Sequence, residues 1–129
     1  MVVFLVKREY FNALISGKKR AELRVGNMWK KIAEKILQGE LRPVAIFRCG
    51  DLYVVREIDR IEIYEHAKHA LAGGKWKALG INAKTLGEAL KELRKLFPKL
   101  PLKPAVLFWL KAPKHVDFDF VMKELRRAK

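Results

Sequence analysis

The sequence predicts an α+β fold: a small mixed sheet or barrel of short strands, with helices inserted between the strands and one more at the C-terminus. Three observations predict it. The apolar residues switch repeatedly between a period of two and a period near 3.6. Strands and helices do not alternate in the regular way that builds a doubly wound parallel sheet. The 129 residues, half of them apolar, suffice for one core, and a chain of this size buries roughly two-thirds of its unfolded surface without disulfide or metal.

Val2–Val6 reads as a buried strand, ended by Lys7-Arg8. Arg8–Ser16 carries Tyr10, Phe11, Leu14 and Ile15 at helical spacing, and Gly17 stands where a left-handed cap would end that helix. Ala21–Val25 returns to period two, with Leu23 and Val25 on one face and Glu22 and Arg24 on the other. A second helix is expected from Asn27 as N-cap, burying Trp29, Ile32, Ala33, Ile36 and Leu37 before Gly39 stops it. Val44–Arg48 and Leu52–Tyr64 read as strands joined by a turn at Cys49-Gly50-Asp51. The alternation slips between Arg56 and Arg60, which predicts a bulge.

Glu65–Leu71 suggests a short helix before the Gly73-Gly74 loop. Thr85 and Glu88 form a T-x-x-E capping box opening a helix with Leu86, Ala89, Leu90, Leu93, Leu96 and Phe97 on one face. Ala105–Lys111 reads as the last strand, with Phe108 and Trp109 on opposite faces. Asp117 is expected to cap a final helix bearing Phe118, Val121, Met122 and Leu125. The organisation expected is one domain over 1–116, with a helix over 117–129 packed on it. No internal repeat or low-complexity tract interrupts it.

The single cysteine, Cys49, rules out an intramolecular disulfide and suits a reducing, cytoplasmic setting. The opening apolar run is too short for a signal or a membrane span. Abundant Lys, Arg and Glu beside a single glutamine, Gln38, resembles thermophile composition. The net charge is +14, and residues 1–35 carry +6, residues 36–72 carry −1 and residues 73–129 carry +9. Two basic ends folded around a neutral middle give a strongly positive surface, which attracts polyanions. Nucleic acid is the usual partner. An anionic membrane, an acidic protein or no polyanion at all are the other readings.

Gly17-Lys18-Lys19-Arg20-Ala21-Glu22-Leu23-Arg24 is the most informative stretch, with four cations around one carboxylate. If Ala21–Val25 is extended, Glu22 and Arg24 project together and Lys19 lies at the turn leading into their face. Arg24 could then grip a phosphate or base edge bidentately, and Lys19 could supply a point charge. Glu22 would hold both cations in register or accept hydrogen bonds from an amine or a 2′-hydroxyl. The plainer alternative is a surface ion pair on a strand.

Gly17, Lys19, Glu22 and Arg24 occupy the four defined positions of the G-x-K-x-x-E-x-R signature of ASCH domains, which the sequence resembles along most of its length. The resemblance implies a PUA-like β-barrel and an RNA-binding cleft lined by this motif, in RNA metabolism or translation. Some bacterial relatives are amidohydrolases of N4-acetylated cytidine, with the lysine as base and a threonine nucleophile where this chain has Glu22. Their further catalytic glutamate would fall near Ile81 or Asn82, where no carboxylate stands. Ribonuclease activity is the other catalytic possibility, so Lys19 and Glu22 remain candidate general bases.

Lys75-Trp76-Lys77 sets an indole between two lysines. A base stacked on Trp76 would contribute roughly 1–3 kcal/mol, unless Trp76 folds back onto the barrel. The expected RNA-contacting set is Lys18, Lys19, Glu22, Arg24, Lys75, Trp76 and Lys77. The expected partner is tRNA or another structured RNA. His66 and His69 share a helical face but lack further ligands, so no metal is expected, and no cofactor motif is present. Lys123, Arg126, Arg127 and Lys129 complement a helix dipole or extend an RNA track.

Overall fold

The computed structural model describes residues 2–113, and beyond them Lys123 and Arg126, both helical and exposed. The elements are β1 (Val2–Leu5), α1 (Arg8–Ser16), β2 (Ala21–Val25), α2 (Asn27–Leu37), β3 (Val44–Cys49) and β4 (Leu52–Tyr64). They continue with α3 (Ala67–Leu71), a 3₁₀ segment (Ala72–Leu79), α4 (Leu86–Leu96) and β5 (Ala105–Leu110). Apart from those two residues, the expected helix from Asp117 lies outside the described residues, as does the 116/117 boundary.

The five strands form one curled sheet in the order β1-β3-β4-β5-β2. β1 pairs parallel with β3, and the other neighbours are antiparallel. β1 and β2 end the sheet without pairing to each other, so the expected small barrel is an open half-barrel. The long strand β4 makes the curl possible. It pairs with β3 through its first half and with β5 through its second, and the register shifts between Ile58 and Arg60, where the alternation slips. Such a bulge bends a strand and increases its twist.

Each face of the sheet buries its own core. On one face Phe4 stacks on Trp29 and Phe47 at 5.0 Å each and meets Phe108 edge-on at 5.3 Å. Pairs of this kind contribute about 0.5–1.5 kcal/mol each beyond their buried area. Leu14, Ala33, Ile36, Val106 and Leu110 complete that cluster. On the other face Leu23, Val25, Leu107 and Ala105 pack under α3, the 3₁₀ segment and α4. Phe108 and Trp109 do face opposite ways.

Local signals set most of the helix ends. Gly17, at φ 82°, caps α1 in the left-handed region, and Thr85 caps α4 by accepting from the Glu88 amide. The Glu88 carboxylate bonds the Lys84 amide rather than that of Thr85. Asn27 is not the N-cap of α2: Gly26 takes that place at φ 111°, an angle an asparagine adopts only with strain, so Asn27 becomes the first helical residue.

Candidate nucleic-acid interface at the open seam

Lys19, Glu22 and Arg24 of the G-x-K-x-x-E-x-R stretch meet where the half-barrel fails to close, whereas Gly17 caps α1 outside that cluster. Strand β2 is the last in the sheet, and its Glu22 and Arg24 side chains share the face of their β5 partners Phe108 and Val106. Lys19 enters from the loop before β2. Its amide bonds the Ala13 carbonyl, and the neighbouring Arg20 backbone bonds Ala78 and Leu110. Gly80, at φ 74°, lies so close that a Cβ there would stand 3.2 Å from Lys19 Cβ and 3.3 Å from Ala13 Cβ. A side chain there would crowd both atoms by a few tenths of an ångström and strain the left-handed backbone.

Within this frame Lys19 is only 3% exposed and Glu22 only 7%. Lys19 Nζ donates to the Leu79 carbonyl at 2.8 Å and pairs with Glu22 Oε1 at 3.3 Å. Arg24 Nη2 donates to Glu22 Oε2 at 3.2 Å and to the Leu5 carbonyl at 2.9 Å. The Arg24 guanidinium also covers the Phe4 and Trp29 rings at 5.1 and 5.2 Å. Arg24 thus spans from one free strand of the sheet to the other. Its Nε is buried without a hydrogen-bond partner among the described residues, a state that costs about 1–3 kcal/mol.

Burial lowers the Lys19 pKa from its ordinary value, and Glu22 opposes that shift by favouring the ammonium. Tyr10, whose ring lies 5.6 Å from Lys19 Nζ, has its phenol pushed up to about 12, first by burial and then by Glu9. The three charged side chains, with Lys7, line a cavity of about 190 Å³. Its apolar walls include Tyr10, Leu79, Ile81, Leu93, Leu96 and Phe97.

The other expected contact residues separate. Lys18 and Lys77 are exposed, Lys77 over the Trp76 ring at 5.7 Å. Lys75 bonds the Tyr64 hydroxyl at 2.6 Å and pairs with Glu62 at 3.7 Å. Trp76 is 8% exposed and belongs to the core beneath α4, so it presents no open face for stacking. Lys19 is likewise a buried ion rather than a solvated point charge. His66 caps α3 through Nδ1, and no group of three metal-ligating side chains occurs among the described residues.

Arg56 carried no signal as a site residue, yet it fixes the motif loop. It is 2% exposed and donates to the carbonyls of Lys111 at 2.7 Å, Leu14 at 3.1 Å and Lys19 at 3.0 Å. One guanidinium thereby joins the end of α1, the residue carrying the buried ammonium and the end of β5. Only the phase slip beginning at Arg56 hinted that this part of β4 was irregular.

No family model and no curated protein sequence matches the chain. Solved structures do. The hypothetical protein PH0355 aligns with a TM-score of 0.65 at 17% identity, over 86% of this chain and 97% of its own. Protein PF0455 from Pyrococcus furiosus aligns at 0.60 and 14% identity, over 89% and 100%. ASCH from Zymomonas mobilis aligns at 0.55 and 15% identity, over 98% and 79%. The likeness is one of fold: this chain has an ASCH-type, PUA-like architecture in an open form.

Proposed function

We propose, on the premise of that ASCH-type fold, that this chain is an RNA-binding domain which receives one unpaired base in the seam cavity of a structured RNA such as tRNA. The observation that carries the reading is the Lys19–Glu22–Arg24 cluster in the wall of a largely apolar cavity of about 190 Å³. A polar patch among apolar walls suits a flat, polar-edged ring, and the small volume suits one base rather than a duplex. Glu22 accepts from an exocyclic amine with its free lone pairs, and the orphaned Arg24 Nε gains a partner when the guanidinium shifts toward the ligand. The net charge of +14 supplies long-range attraction, with Lys18 and Lys77 exposed for phosphate. No helix among the described residues is long and apolar enough to cross a membrane, and a cytoplasmic site of action fits this partner.

The test is fluorescence anisotropy with labelled tRNA at about 50 and 200 mM salt. Wild type is compared with Leu96→Trp, which fills the cavity from a half-buried wall position. Expected are steep salt dependence in both proteins and a loss of roughly tenfold or more in the variant, the value of one stacked base. Equal affinity would remove the cavity from the binding site, and absence of wild-type binding would refute the reading.

One observation favours a second reading, hydrolysis of RNA or of an acetylated cytidine at the same place. Burial lowers the Lys19 pKa, which makes its amine more available as a base. Turnover by wild type that disappears in Lys19→Met, a change that leaves no buried amine to act as base, would establish this reading. Intact RNA and nucleoside after prolonged incubation would exclude it.

A further inference from the structure

The Gly17–Arg20 loop has two sides. Lys19 turns into the seam cavity, whereas Gly17 and Arg20 line a separate open groove of about 690 Å³ on the outer surface. Arg56, Asp59, Arg60 and Trp109 form much of its remaining wall. Arg56 is committed to backbone carbonyls. Arg20 is exposed, and Arg60 is 56% exposed. Arg60 reaches Asp59 at 3.8 Å, an open and solvent-screened pair that phosphate can displace at little cost.

Trp109 is built as a fixed platform in this groove. Arg60 lies over its ring at 4.4 Å. Its indole Nε1 donates to Glu62 Oε1 at 2.7 Å, and Lys75 holds the same oxygen at 3.7 Å. A cation seated on a ring whose N–H is tied down loses little entropy when a ligand stacks there. Unlike the buried Trp76, Trp109 lines an open groove together with Arg20 and Arg60.

We propose that this groove is a second contact surface for single-stranded RNA, with Arg20 and Arg60 on phosphates and a base stacked on the Arg60–Trp109 pair. The inference rests on the RNA-binding reading and extends it: the strand leaves the seam cavity, crosses the exposed Lys18 and runs along the groove. Arginine planes and aromatic rings both accept bases in this way, and neither requires a particular base.

The experiment measures binding of a single-stranded RNA of about twelve nucleotides, within the roughly 4–16 that one small barrel covers. Wild type, Arg20→Ala/Arg60→Ala and Leu96→Trp are compared across a salt series. Both arginines are exposed, so the double variant is expected to melt with wild type. Two lost phosphate contacts should flatten the slope of log affinity against log salt by about 1.4. Indole emission should quench on binding in wild type and less in Trp109→Phe. A double variant with wild-type affinity and slope, while Leu96→Trp is impaired, would overturn the groove and leave the cavity standing. Absence of binding by wild type, with tRNA still bound, would overturn the groove alone, whereas loss of binding to both RNAs would bring down both readings. Competition by polyglutamate as effective as competition by unlabelled RNA would assign the groove to acidic protein and overturn the proposal.

Discussion

Replacing Glu22 by glutamine keeps the shape of the seam and removes the charge that compensates Lys19 and Arg24. Lys19 is 3% exposed, and among the described residues its other hydrogen-bond partner is the neutral Leu79 carbonyl. Breaking a buried ion pair from one side costs about 3–5 kcal/mol. The lower end applies here, because the glutamine oxygen still accepts from Lys19. A loss of about 3 kcal/mol lowers the melting midpoint of a domain this size by roughly 10 °C. The pH dependence separates this cause from poor packing. The folded state lowers the Lys19 pKa below 10.5, so it binds fewer protons than the unfolded chain in that interval, and stability from this group rises with pH there. Without Glu22 the folded pKa falls further. The gap between variant and wild type is therefore widest at neutral pH and narrows as pH rises through the Lys19 titration. Calorimetry from neutral pH to about pH 10 reads both quantities. A variant melting with wild type at neutral pH, or a gap constant with pH, would refute the claim that Lys19 is a buried cation held by Glu22.

Two further outcomes are expected. Arg56→Met should leave two buried carbonyls and one part-buried carbonyl without their donor and cost about 3 kcal/mol in urea unfolding. Its amides around Lys19 should exchange faster than those in β3, and unchanged protection there would remove the loop-fixing role. Tyr10 should be the last tyrosine to ionise in an absorbance titration, near pH 12. Because its folded pKa is raised, its contribution to stability is complete below pH 10 and is lost from there toward 12. Tyr10→Phe should abolish both the late spectral step and that loss, and persistence of the step would assign it elsewhere.

The sequence discloses features whose cause is local and hides those whose cause is distant. Gly17 and Thr85 mark helix ends because the cap involves only adjacent backbone. The β4 bulge is legible because a slipped pleat reverses the alternation within one strand. The Gly17–Arg24 cluster stands out by charge density, but its burial depends on Leu79, Leu5 and Gly80, far away in the chain. The lysines beside Trp76 leave open whether its ring is a stacking platform or folds back onto the sheet, and the turns at Gly73 and Gly74 decide it by carrying the indole into the core. Trp109 reads as part of a strand, and nothing nearby announces that Arg60, its partner on β4, and Glu62, two residues further along that strand, will fix its ring. Arg56 is the extreme case. A charged residue in a strand pattern signals solvent, and only the convergence of three carbonyls makes its burial tolerable.

The link from Arg24 to the Leu5 carbonyl also bears on solubility. β1 ends the sheet, pairing only with β3, and exposes Val3 and Leu5, the latter by 70%. An unpaired backbone row beside apolar side chains is the template on which chains add edge to edge. Arg24 occupies the acceptor at the end of that row with a charged group no incoming strand can match. The same residue that furnishes the seam with a cation thus guards against fibre growth, so its removal is expected to shorten the time this protein stays monodisperse in concentrated solution.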